Sequence, residues 1–177
     1  SLTQFDGTMS LTRGQKGAFH IWKSHPDLDA VLTYRPIPGE ESNRGGRNPR
    51  VWEKVAGGEF NWVFRRAGRK LAGLDAQFPR KGRLILEIAR EMTGDWDQHS
   101  IKNAHQWWPK GFTNIVTQMR AGYREASSGD MPHLIWMRPA RSPVAKGVWT
   151  EAIMPPAEML DGLGLSQHDN GWAPCTP

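Results

Sequence analysis

Arg83-Leu84-Ile85-Leu86-Glu87-Ile88-Ala89-Arg90-Glu91-Met92 lies near the middle of the 177-residue chain, and its period governs how the residues around it are read. Leu84, Ile85, Ile88, Ala89 and Met92 recur at a spacing that suits one face of a helix. Gly94 then stands where a helix-ending glycine is favoured. Asp97 can cap a shorter helix from Gln98 to about Trp108, with Ile101, Ala104 and Trp108 on one side. The two helices have the parts of a helix-turn-helix: Ala89 as the small residue, Thr93-Gly94 as the turn and Ile101 as the apolar anchor. The second helix would display Gln98, His99, Lys102, Asn103 and Gln106, which can bond base edges or phosphates.

Two stronger periods flank this region. Phe60, Val63, Phe64, Ala67, Leu71 and Leu74 predict a helix over 58–74, with Arg65, Arg66, Arg69 and Lys70 on its other face. Phe112, Ile115, Val116, Met119, Tyr123 and Ala126 predict another over 110–126, closed by Ser127-Ser128-Gly129-Asp130. Beyond it, His133–Met137 and Val148–Ile153 read as the strands of a hairpin, whose tip carries Pro139, Arg141, Pro143 and Lys146. Helices followed by a basic-tipped hairpin have the element order of a winged helix. Pro155-Pro156-Ala157-Glu158 opens a last short helix through Leu163. At the other end, Ala18–Trp22 and Ala30–Tyr34 read as short strands around the turn formers Ser24-His25-Pro26-Asp27. Pro36–Pro49 is a loop rich in Pro and Gly.

The fold expected from these elements is α+β: a mainly helical single domain with four main helices, short N-terminal strands and a C-terminal β-hairpin. Its expected parts are an N-terminal strand pair (1–35), a basic loop (36–50), a helical region with the hairpin (51–165) and a tail (166–177). A chain of this length can build a substantial core. Its 19 Gly and 13 Pro point to many turns rather than a smooth bundle.

Charge is unevenly placed. The whole chain is +5, yet Arg44 to Arg83 holds eleven Lys/Arg against only Glu53, Glu59 and Asp75. That segment is +8, while twelve basic and fifteen acidic residues leave the remainder at −3. A basic block this dense repels itself unless spread over the surface or neutralised by a polyanion. Nucleic acid is the commonest such partner, since each neutralised phosphate releases counterions. The expected phosphate contacts are Arg65, Arg66, Arg69, Lys70, Arg80, Lys81 and Arg83. Arg44, Arg47 and Arg50 can follow the backbone, while His99, Lys102, Asn103 and Gln106 face bases and Arg141 and Lys146 sit on the wing.

Nine tryptophans are an unusual number. Trp107 and Trp108 point about 100° apart on a helix, so they cannot share one core stripe, and one is a candidate ring for stacking or partner binding. His20, His25, Asp27 and Asp29, and separately Asp95, Asp97, His99 and His105, are candidate metal or acid–base groups. Pro26 and the capping position of Asp97 suggest turn roles instead. No P-loop, C-x-x-C, H-E-x-x-H or G-x-S-x-G pattern occurs, and no cofactor is implied. The one cysteine, Cys175, excludes an internal disulfide framework. No apolar run approaches the roughly 18 residues of a membrane span, and Ser1–Asp6 lacks the look of a signal peptide, so a cytoplasmic protein is expected. The leading expectation is a non-enzymatic nucleic-acid-binding protein, DNA before RNA, that regulates or assists a nucleoprotein assembly. One alternative binds an acidic protein surface as an inhibitor or assembly subunit. The other is a metal-dependent nuclease.

Overall fold

The computed structural model describes residues 2–5, 23–37, 49–77, 81–89, 101, 104–129, 131–139 and 150–166. Its centre is a five-stranded sheet in which every neighbouring pair is parallel. The strands are β1 (Leu2–Phe5), β2 (Ala30–Tyr34), β3 (Leu84–Ile88), β4 (His133–Pro139) and β5 (Gly162–Ser166), and their order across the sheet follows the chain. Three helices are described: α1 (Pro49–Gly57), α2 (Asn61–Gln77) and α3 (Trp108–Ala126). Short 3-10 turns occupy His105–Trp107, Thr150–Ile153 and Ala157–Met159. No helix among the described residues is long and apolar enough to cross a membrane.

This sheet overturns the expected helical fold with its C-terminal hairpin and winged-helix order. The decisive stretch, 84–88, is a strand between β2 and β4. A short apolar run covered on both sides carries no period that separates strand from helix, and here the sheet supplied the context that local spacing lacked. The first helix of the expected helix-turn-helix is therefore absent over 84–88, and His105–Trp107, at the end of its expected second helix, is a 3-10 turn; residues 90–100, 102 and 103 lie outside the described residues. The hairpin fails for a related reason. β4 bonds β3 on one side and β5 on the other, both parallel, while Thr150–Ile153 is a 3-10 turn. β5 begins at Gly162, where a helix end was expected; Gly-Leu-Gly has poor strand propensity and hides it. The strand expected at Ala18–Trp22 lies outside the described residues.

The two long helices stand close to where their periods put them, at 61–77 and 108–126. Pro109 sits in the first turn of α3, where its missing N–H costs nothing. α1 lies beyond the expected elements, and Val51, Trp52, Val55 and Ala56, all buried, form its helical face behind Pro49.

Alternation along the strands fixes the layers. Ala30, Leu32 and Tyr34, Leu84, Leu86 and Ile88, and Leu134 and Trp136 join the helix residues in one core. Val31, Ile85 and Ile135, on the opposite face, are only half-buried. Trp108 meets Trp52 edge-on, with ring centroids 5.0 Å apart, and Phe112 at 5.4 Å. Such fully buried side chains contribute about 1.5–3 kcal/mol each. α2 and α3 cross at two glycines. A Cβ on Gly68 would overlap the Met119 carbonyl oxygen, and one on Gly122 would overlap that of Arg65. Asn114 on α3 donates from Nδ2 to the carbonyls of Val55 and Ala56 at 3.0 and 2.9 Å, satisfying the end of α1.

Candidate functional site

The expected cationic surface is brought together only in part. Arg65, Arg66 and Arg69 lie exposed along α2, and Lys70 is half-buried beside them. Glu125, from α3, accepts from Arg65 and, at 2.7 Å, from Arg69. The Arg65 bond, followed by the Arg69 bond, holds the Glu125 carboxyl below the usual carboxylate range, and Glu125 in turn raises the Arg65 guanidinium. Arg66 is the cation of this trio that Glu125 does not engage.

Lys81 and Arg83 belong to a different place, the amino ends of β2 and β3. Arg83 makes a forked contact with Asp29, through Nε at 3.1 Å and Nη2 at 2.7 Å, and its backbone N–H bonds the other carboxylate oxygen. That contact raises the Arg83 guanidinium further. Lys81 stands 3.6 Å from Asp27. The Asp27/Asp29 pair, a candidate for metal, therefore faces two cations and secures the entry to β2 and β3. Among the described residues no three His, Cys, Asp or Glu side chains form a metal-binding group.

Arg50 is exposed near the start of α1, and Gln106 is exposed on a 3-10 turn. Arg44, Arg47, Arg80, His99, Lys102, Asn103, Arg141 and Lys146 lie outside the described residues. Of the adjacent tryptophans, Trp108 is wholly buried and Trp107 is half-buried against the core. Among the described residues the exposed indole is instead Trp62, 65% accessible one turn before Arg66.

Sequence reasoning missed a group at the carboxyl end of the sheet. Glu87, in the middle strand, is only 2% exposed and lies beside its register partner Thr33, itself fully buried. The Thr33 hydroxyl donates to Glu87 Oε2 at 2.8 Å. Both side chains occupy the face turned away from the helices, as the alternation of β2 and β3 requires. Two residues further on, Ala89 has φ +54°, a left-handed conformation that costs a non-glycine residue about 1 kcal/mol or more. Its N–H bonds the Tyr34 carbonyl at 2.9 Å, holding the exit of β3 against the exit of β2. The signal was present in the sequence: a single carboxylate interrupts the otherwise apolar Leu84–Ile88.

No protein-family model matches the chain, and no curated protein matches it.

Proposed function

We propose that this chain is an enzyme domain whose reacting groups gather at the carboxyl ends of its parallel strands, with Glu87 as a buried acid–base carboxylate. The observation that carries the reading is the Thr33–Glu87 pair, sealed from solvent on adjacent strands next to the exit of β3. Parallel sheets with helical crossovers hold substrates at the carboxyl ends of their strands, because the loops there can vary without disturbing the core. A carboxylate kept from bulk water and oriented by a hydroxyl is suited to taking up and returning a proton during hydrolysis. The chain leaving β3 carries Glu91, Asp95, Asp97 and His99 in its sequence, so further acid–base groups follow the same strand. Strain at Ala89 supports the same location, since unfavourable backbone conformations cluster at functional sites. Hydrolysis by carboxylates needs no cofactor, and one cysteine suits the cytoplasm, where we place the activity.

The test is a panel of chromogenic phosphodiester, glycoside and carboxyl-ester substrates, assayed with and without Mg²⁺. Turnover of one class is expected, with Glu87→Gln lowering kcat by about 10²-fold or more while the melting temperature holds. No turnover in any class, or full activity in Glu87→Gln, overturns the assignment.

A second reading keeps the nucleic-acid partner. It is favoured by the grouping of Arg65, Arg66 and Arg69 on one exposed helix face beside Trp62. Guanidinium groups hold phosphates and an exposed indole offers a stacking surface, although Glu125 offsets part of the charge. Salt-dependent binding of DNA, RNA and a polyglutamate peptide separates a nucleic-acid partner from an acidic protein.

A further inference from the structure

The amino ends of β3, β4 and β5 frame a cavity of about 620 Å³, within the roughly 300–1,000 Å³ range of small-ligand sites. Asp75 comes from the last turn of α2, Arg83 from just before β3, Arg120 and Arg124 from α3, His133 from the first position of β4, and Asp161 from just before β5. The elements converge for ordinary reasons of packing, but the polar groups they deliver are not equally occupied.

Four of the six are hydrogen-bonded within the protein, three of them at short distances. The Arg83 fork is closed on Asp29. Asp75 accepts from the Tyr123 hydroxyl at 2.7 Å, and Asp161 accepts from the Leu134 N–H at 2.7 Å. Arg120 reaches only the carbonyls of Glu158 and Met159, at 3.4 and 3.3 Å, long for bonds assisted by a charge. Arg124 and His133 are exposed, and their side chains make no hydrogen bond or ion pair among the described residues. Arg120 and Arg124 are four residues apart on α3, so both heads lie along the same side of the helix. Asp75 and Asp161 keep their negative charge and offset part of the positive charge here, while the donors that face the cavity are Arg124, His133 and the weakly held Arg120.

We propose that this cavity binds a small ligand through a phosphoryl group held by Arg120, Arg124 and His133. Donors from three side chains match the several oxygens of a tetrahedral anion better than a single planar carboxylate, which one arginine fork can satisfy alone. The site lies at the amino ends of the strands, the end opposite Glu87, so its ligand does not compete with a substrate at the carboxyl ends. Its occupation ties α3 to the entry of β4 and stabilises the fold by mass action.

The probe is inorganic phosphate, titrated into the full chain by calorimetry and by thermal melting, with citrate run in parallel. Saturable phosphate binding is expected, accompanied by a rise in melting temperature. Arg124→Gln weakens it about tenfold, consistent with loss of a charge-assisted bond. His133→Gln weakens it several-fold, while Arg66→Gln, on the outer face of α2, leaves it unchanged. Binding that never saturates, or that survives Arg124→Gln intact, overturns the site. Tighter binding of citrate than of phosphate overturns the phosphoryl assignment. Neither result depends on whether Glu87 is catalytic, because the readout is binding rather than turnover.

Discussion

Gly122 of α3 rests directly on the backbone carbonyl of Arg65 in α2, close enough that a Cβ at this position has no room. The reciprocal contact, Gly68 against the carbonyl of Met119, lies across the same crossing. Neither glycine has a positive φ, so spacing between the helices, not backbone conformation, selects the residue. Gly122→Ala and Gly68→Ala must push the two helices apart, and each is expected to lower stability by about 2–3 kcal/mol, the scale of overpacking in a filled core. Gly73→Ala, on the same helix with nothing near its Cβ position, is the control and is expected to be neutral or stabilising. Urea denaturation of the three variants checks this; equal effects would show that the crossing is not tight.

Glu125 predicts an acid-sensitive contribution to stability. Its carboxyl is held below the usual range, first by Arg65 and then by Arg69. A carboxyl whose pKa is lower in the folded than in the unfolded chain adds stability above the ordinary value of about 4.3. That contribution is lost as pH falls below this value and through the depressed one. The melting temperature of the unaltered protein should therefore fall more steeply below about pH 4.5 than that of Glu125→Gln, and the effect should shrink in high salt. Parallel curves for the two proteins from about pH 3 to 7 contradict the assignment.

Asn114 carries the end of α1 on two hydrogen bonds. Asn114→Ala leaves the Val55 and Ala56 carbonyls without that donor in a part-buried setting, at an expected cost of about 1–3 kcal/mol. Hydrogen exchange should localise the loss to residues 49–57, ahead of global unfolding.

If α2 contacts a polyanion, the same three arginines govern its salt dependence. Replacing Arg65, Arg66 and Arg69 with Ala is expected to lower the log–log salt slope for duplex DNA by up to about 3. Glu125→Gln should act in the opposite sense, strengthening binding by removing a negative charge and releasing two guanidiniums. An unchanged slope in the triple variant removes α2 from any such interface.

The sequence was most informative where a period ran for several turns. α2 and α3 repeat the same apolar spacing over four turns, and each stands within a few residues of its expected range. It misled where context outweighed spacing. Leu84–Ile88 fits a helical pattern, but five residues close only one i→i−4 bond among themselves, whereas the same five bond two neighbouring strands. β5 was illegible because Gly162 and Gly164 contribute no side chain, and its place is set by Asp161, which bonds Leu134 through both carboxylate and backbone N–H. For the candidate sites, the residue types are visible in the sequence but their surroundings are not. Asp29 meets Arg83 across 54 positions of chain, a pairing no local pattern reveals. Glu87 is a lone carboxylate among apolar neighbours, and what buries it is the pairing of its strand with β2 and β4, which no local spacing shows.

Sequential parallel order also dictates how the molecule must assemble. A hairpin can zip from its turn, but among the described residues every strand pairing is parallel and joins segments far apart along the backbone. β3 cannot join β2 until the excursion from Tyr34 to Leu84, with α1 and α2 on it, has doubled back. Most native contacts are thus deferred until the helical layer has closed several large loops, which raises the entropic barrier and slows refolding relative to a helical bundle of similar size.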